Sequence, residues 1–99
     1  MSVLVVIKVP GDTTIFESFM AQGADRVIEL TAKAKAAGCR SHKFGVGEGE
    51  IVVVDEWDSR EQFVGFFSSP DIVAVMGEMG AQGEPQITFA DATGFPGEF

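Results

Sequence analysis

The chain holds one histidine, one cysteine and no tyrosine, so few side chains can carry chemistry. Histidine is the side-chain type that ordinarily exchanges a proton near neutral pH, which makes His42 the default general base. Asp55 and Glu56 are adjacent in a β-branched stretch. They therefore point to opposite faces of a strand and cannot act as a carboxylate pair. At most one of them meets His42, and the register of the hairpin decides which. A two-residue loop, Gly47-Glu48 or Glu48-Gly49, puts Asp55 on the face of His42. A three-residue loop from Gly47 to Gly49 puts Glu56 there instead. Asp55 is preferred, and a carboxylate in that position would fix the tautomer of His42. The competing roles are a hydrogen bond of His42 within the sheet, and salt bridges of either acid with Arg40, Lys43 or Lys8.

The other reactive types offer less. Cys39 has no adjacent basic motif and reads as a buried structural thiol. Trp57 combines a polar handle with a large apolar body, and either plugs the strand end or forms a platform for a substrate. No Cys/His cluster has zinc-like spacing, so no metal is expected. Nothing matches a P-loop, a dinucleotide-binding glycine pattern or a nucleophile elbow, and no cofactor is implied. Gly45, Gly47 and Gly49 belong to a hairpin turn.

The segment that must position these residues runs from Glu50 to Phe67. Ile51 to Val54 is a β-branched strand, and Ser59 with Gln62 three residues later forms a capping-box pattern that starts a helix at Arg60. Phe63, Phe66 and Phe67 then share one helical face. Upstream, Val3 to Val9 is a strand with Val3, Val5, Ile7 and Val9 on one face and Leu4 and Val6 on the other. Asp12 can cap a short helix carrying Ile15, Phe16, Phe19 and Met20. Gln22-Gly23 interrupts that helix before Asp25 to Ala37 resumes, with Val27, Leu30, Thr31 and Ala34 inward and Gly38 as the stop. Cys39 to Val46 is a second strand. Pro70 opens another helix, bearing Ile72, Val73, Val75, Met76 and Met79, and Gln86 to Ala90 is the last strand.

Composition bounds the partners. With 99 residues, 45% apolar and 22% charged, residues 1–92 make one globular domain and residues 93–99 a Gly/Pro-containing tail. The net charge of −8 disfavours nucleic acid and anionic membrane surfaces. The apolar start ends at Lys8, Pro10 and Gly11 and lacks a basic region and cleavage site, so it reads as a strand and not a signal peptide. A lone cysteine fits a reducing, cytoplasmic setting. The element order β-α-β-β-α-β, with both helical stretches broken, predicts an α+β ferredoxin-like fold. Two strands with apolar residues on both faces also predict a homodimer packed sheet against sheet.

Gly38-Cys39-x-x-His42-x-Phe44, Val54-Asp55-Glu56-Trp57-x-Ser59-x-Glu61-x-Phe63 and Gly83-Glu84-Pro85 resemble the dimeric α+β barrel superfamily, and within it proteins of the antibiotic-biosynthesis-monooxygenase type. The likeness spans roughly Val3 to Ala90. It implies two ferredoxin-like subunits with joined sheets, and a cavity between sheet and helices for a small hydrophobic molecule. Members include cofactor-independent monooxygenases acting on polycyclic phenols, haem-degrading enzymes and isomerases. On this basis His42 and Asp55 are the expected catalytic pair. Phe16, Phe19, Met20, Trp57 and Phe66 are the expected substrate-binding residues, with Phe16, Phe19 and Met20 gating the cavity. The function expected is a cofactor-independent monooxygenase or isomerase acting on a hydrophobic, phenolic metabolite. The alternatives are a carrier of such a metabolite and a structural dimerisation module whose cavity is filled by its own side chains.

Overall fold

The computed structural model describes residues 1–99. Its elements are β1 (Val3–Pro10), α1 (Thr13–Gln22), α2 (Ala24–Ala37), β2 (Cys39–Gly47), β3 (Glu50–Trp57), α3 (Arg60–Phe67), α4 (Pro70–Glu78) and β4 (Gln86–Asp91). The four strands form one antiparallel sheet in the order β2-β3-β1-β4. This is a ferredoxin-like α+β fold with each helical crossover broken into two helices. The two strands that are apolar on both faces, β1 and β3, occupy the centre of the sheet. Residues 92–99 carry no helix or strand.

The sheet separates its two parities sharply. Val3, Val5, Ile7 and Val9 are buried beneath the helices, whereas Leu4 on the opposite face is 41% exposed. Burying the inner row is the main favourable term available to a domain this small. The core is split, however. One cluster gathers Val3, Val5, Ile7, Ala34, Cys39, Trp57 and Phe63. A second gathers Val9, Phe16 and Ile51, with Met20, Phe44, Met76 and Met79 packed around it.

Local chemistry explains the helix boundaries. The Asp12 carboxylate accepts from the N–H groups of Thr14 and Ile15 at 2.9 and 3.1 Å, which caps α1. At Gly38 the backbone turns to φ 121°, a conformation that favours glycine, and its N–H closes the end of α2. The Gly38 carbonyl accepts from the Asp58 N–H at 2.9 Å, tying the end of α2 to the β3–α3 junction. At that junction Ser59 Oγ accepts from the Gln62 N–H at 3.2 Å and donates to Gln62 Oε1 at 2.8 Å. The strand therefore passes directly into a fixed helix start. Ser59→Ala removes this cap and is expected to destabilise the fold by about 1 kcal/mol. Chemical denaturation should show a lower midpoint at unchanged slope, and an unmoved midpoint would mean that α3 does not depend on the cap.

Candidate functional site

The site begins with the β2–β3 hairpin. Gly47 pairs with Glu50, so the loop is the two-residue Glu48-Gly49, and the register brings His42 opposite Asp55. Gly49 takes φ 70°, which lets so short a loop close. Asp55 and Trp57 are two residues apart on β3 and share its inner face. Phe44 is likewise two beyond His42, and the two rings meet edge to face at a centroid distance of 4.5 Å.

These alignments assemble a polar relay within an apolar wall. His42 Nδ1 lies 2.6 Å from Asp55 Oδ1, and Trp57 Nε1–H donates to Asp55 Oδ2 at 3.0 Å. Asp55 is only 5% exposed, so each carboxylate oxygen has a donor, as burial of a charge demands. A carboxylate is a weaker base than imidazole, so the shared proton belongs on Nδ1. In the neutral ring Nε2 is then a bare acceptor. Nε2 is buried and has no hydrogen-bond partner in the protein.

His42 is one of the residues lining a cavity of about 120 Å³ between the sheet and the helices. Residues of both core clusters line the cavity. Val27, Leu30, Thr31 and Ala34 of α2 form one side, and Phe63, Phe66 and Phe67 of α3 with Ile72, Val75, Met76 and Met79 of α4 form another. The sheet supplies the floor, including Ile7, Val9, Phe44, Ile51, Val53 and Trp57. Apart from the indole N–H of Trp57, Thr31, His42 and Asp55 bring the only polar side-chain groups to its lining. Arg26 and Glu78, which precede the lining residues Val27 and Met79, form an ion pair joining α2 to α4.

Of the residues expected at the site, His42, Asp55, Trp57 and Phe66 stand together on this cavity. Phe16, Phe19 and Met20 do not reach its wall. Phe16 is buried and Met20 packs beside it, both against Val9 and Ile51, while Phe19 lies in an outer groove with Gln22, Gly23 and Glu78. No residue of α1 lines the cavity, whereas Ile72, Val75 and Met76 of α4 do. Phe44 and Thr31 were not singled out as site residues. The signals that mark them are the two-residue spacing of Phe44 from His42 and the inward parity of Thr31 on α2.

Cys39 is buried beneath the same site, and its Sγ donates to the Ser41 carbonyl at 3.2 Å. Burial, reinforced by the negative charge of Asp55, pushes its thiol up to about 11. The folded state thus retains a proton that the unfolded chain releases above the ordinary thiol range of about 8.5. Stability should be insensitive to this group below that range and fall as pH rises from there towards 11. Iodoacetamide labelling of the native protein at about pH 8, just below the ordinary thiol range, is expected to be far slower than after unfolding. Equal rates would show that the thiol is neither buried nor suppressed.

Fold and site together define an α+β ferredoxin-like domain with an apolar cavity and one buried His–Asp–Trp relay, the fold of solved antibiotic-biosynthesis-monooxygenase-type proteins. No family model matches the chain, and no curated protein matches it in sequence. Among solved structures, it is similar to a monooxygenase from the gene ActVA-Orf6 of Streptomyces coelicolor, in complex with the ligand nanaomycin D. The TM-score is 0.67 at 17% identity, covering 95% of this chain and 89% of that one. A candidate antibiotic biosynthesis monooxygenase from Caulobacter crescentus aligns with a TM-score of 0.64 at 21% identity, covering 93% and 90%. The protein Rv0793 from Mycobacterium tuberculosis aligns at 0.65 and 16% identity, covering 97% and 99%. At these identities the shared property is the fold.

Proposed function

We propose that this chain is a small-molecule enzyme of the cofactor-independent monooxygenase or isomerase type, in which His42 removes a proton from a hydrophobic substrate held in the cavity. The observation that carries this reading is the buried, unpartnered Nε2 of His42, on a side chain that is backed by Asp55 and lines an apolar cavity. A buried polar atom without a partner calls for an explanation, and an exchangeable proton on a ligand supplies one. When Nε2 takes that proton the ring becomes an imidazolium. Asp55 then faces it as a counter-charge, and Trp57 keeps the carboxylate oriented. The substrate anion stays beside the imidazolium in a setting with little water. Such an anion reacts with dioxygen in an oxygenase, or is reprotonated at another carbon in an isomerase. The cavity reaches His42 and is not filled by phenylalanine and methionine side chains, which favours this reading over a carrier or a purely structural module.

The test is to identify a hydrophobic molecule that co-purifies with the protein, or a phenolic compound that it converts in air. Wild type is then compared with His42→Gln. Loss of the base is expected to lower turnover by about 10²-fold or more, with little change in thermal stability. Turnover that survives His42→Gln would remove the base assignment.

The enzyme is further proposed to act as a homodimer joined through the outer face of the sheet. That face presents Leu4, Val6, Val52 and Val54 from the two central strands, with Leu4 and Val54 substantially exposed. The chain exposes 6306 Å², whereas a compact monomer of this size exposes about 5,400 Å². An excess of this order matches the roughly 800 Å² that each partner buries in an interface of standard size. Light scattering at micromolar concentration is expected to give twice the chain mass, and Val54→Lys to return it to that of one chain. A monomeric wild type would contradict this assembly.

A further inference from the structure

A ligand reaches the cavity only between the helices, because the sheet beneath it is hydrogen-bonded continuously from β2 to β4. The seams between the helices that line it are not equally secured. Where α2 meets α3, the Gly38 carbonyl accepts from the Asp58 N–H at 2.9 Å, and the Ser59 cap follows at once. Where α3 meets α4, the chain itself closes the seam, with the Ser69 N–H donating to the Phe66 carbonyl at 3.1 Å. Between α2 and α4 there is no backbone hydrogen bond. The ion pair of Arg26 with Glu78 is the one polar side-chain link there. Its two side chains are 46% and 48% exposed, and a pair so open to water holds weakly.

Two spaces adjoin across this pair. Outside lies the groove of about 550 Å³, with Ile15, Ser18, Phe19, Gly23 and Glu78 in its wall. Inside lies the cavity of about 120 Å³. Glu78 lines the groove and its neighbour Met79 the cavity. Gly23 lines the groove, and Val27, one turn further along the chain, lines the cavity. Met79 is unbranched and flexible, so it can turn aside without moving a helix.

We propose that the groove is the vestibule of the cavity, and that the Arg26–Glu78 pair, backed by Met79, is the gate through which an apolar ligand enters and leaves. This rests on the proposed use of the cavity by a ligand, and adds the route to it. Ile15 and Phe19 give an arriving apolar molecule a first surface, and the pair re-forms behind it. Neither charged side chain lines the cavity. The gate therefore sets the rate of exchange and not the affinity, because the pair is closed both before entry and after it.

Methyl NMR of the full-length protein with benzene tests this. Benzene is the probe because an apolar protein cavity of roughly 150 Å³ accommodates it. Shifts of the Ile7, Val75 and Met76 signals give the dissociation constant, and exchange broadening gives the rates. Arg26→Glu sets two carboxylates against each other and should speed entry and exit alike, by about two- to fivefold, at an unchanged dissociation constant. The exchanged pair Arg26→Glu/Glu78→Arg should restore the wild-type rates. Ser18→Trp should fill the groove and slow both steps. All three positions are exposed, so the fold should tolerate these changes. Unchanged rates in either Arg26→Glu or Ser18→Trp, with benzene still bound, would overturn the gate and leave a ligand cavity in place. A dissociation constant that moves as far as the rates would make the pair part of the binding site and also overturn it. Absence of benzene binding would overturn both the gate and the functional reading beneath it.

Discussion

The interaction on which the rest of the structure depends is the buried carboxylate of Asp55, held between His42 and Trp57. A carboxylate placed inside a small apolar core is destabilising unless both oxygens find donors. Both donors come from the inner face of the same sheet: one from the neighbouring strand directly opposite, the other from the same strand two residues on. The arrangement therefore fixes more than a side chain. It requires the Glu48-Gly49 loop, because a loop one residue longer would turn Asp55 away from His42 and leave a buried charge unpaired. It also requires the indole of Trp57 to lie under α3, where it packs edge to face on Phe63 with centroids 5.7 Å apart. Hairpin register, helix placement and the orientation of the imidazole are consequences of one buried anion.

The cavity follows from the helices. Each crossover is broken, by Gly23 in the first and by the Ser68-Ser69 pair ahead of Pro70 in the second, so four short helices cover a sheet that two long ones would cover more tightly. Side chains from α2, α3 and α4 meet around the cavity without filling it, and the buried core divides into two clusters that both contribute to its lining. Such a split core forgoes burial, and only 16 of 99 residues are buried. That deficit is consistent with a protomer that gains further burial from a second copy on its outer sheet face.

Much of this was legible in the residues. The β-branched, two-faced apolar runs of Val3 to Val9 and Ile51 to Val54 mark two strands, and Asp12, Ser59 and Pro70 mark three helix starts because capping chemistry is local. The pairing of His42 with Asp55 was readable as one of two registers, since strand parity admits no third. The ligand wall was less legible. The apolar stripe of α1 has the same helical spacing as that of α4, and spacing alone does not say which helix reaches the cavity. Phe16 and Met20 went to a separate cluster, and the wall was completed by Ile72, Val75, Met76 and Met79. Thr31 reads as inward-facing on α2, but nothing in its spacing ties it to His42. Only the fold brings Thr31 and His42 to the lining of one cavity.

The central claim is that Asp55 holds His42 in the tautomer that leaves Nε2 bare. The most direct measurement is the nitrogen NMR spectrum of the single histidine in the uncomplexed protein near neutral pH, in which protonated and bare imidazole nitrogens are resolved. The account predicts that, wherever the ring is neutral, its proton sits on Nδ1 and Nε2 is bare, with loss of that preference in Asp55→Asn. A proton found on Nε2 in the wild type, or a ring exchanging freely between tautomers, would contradict it.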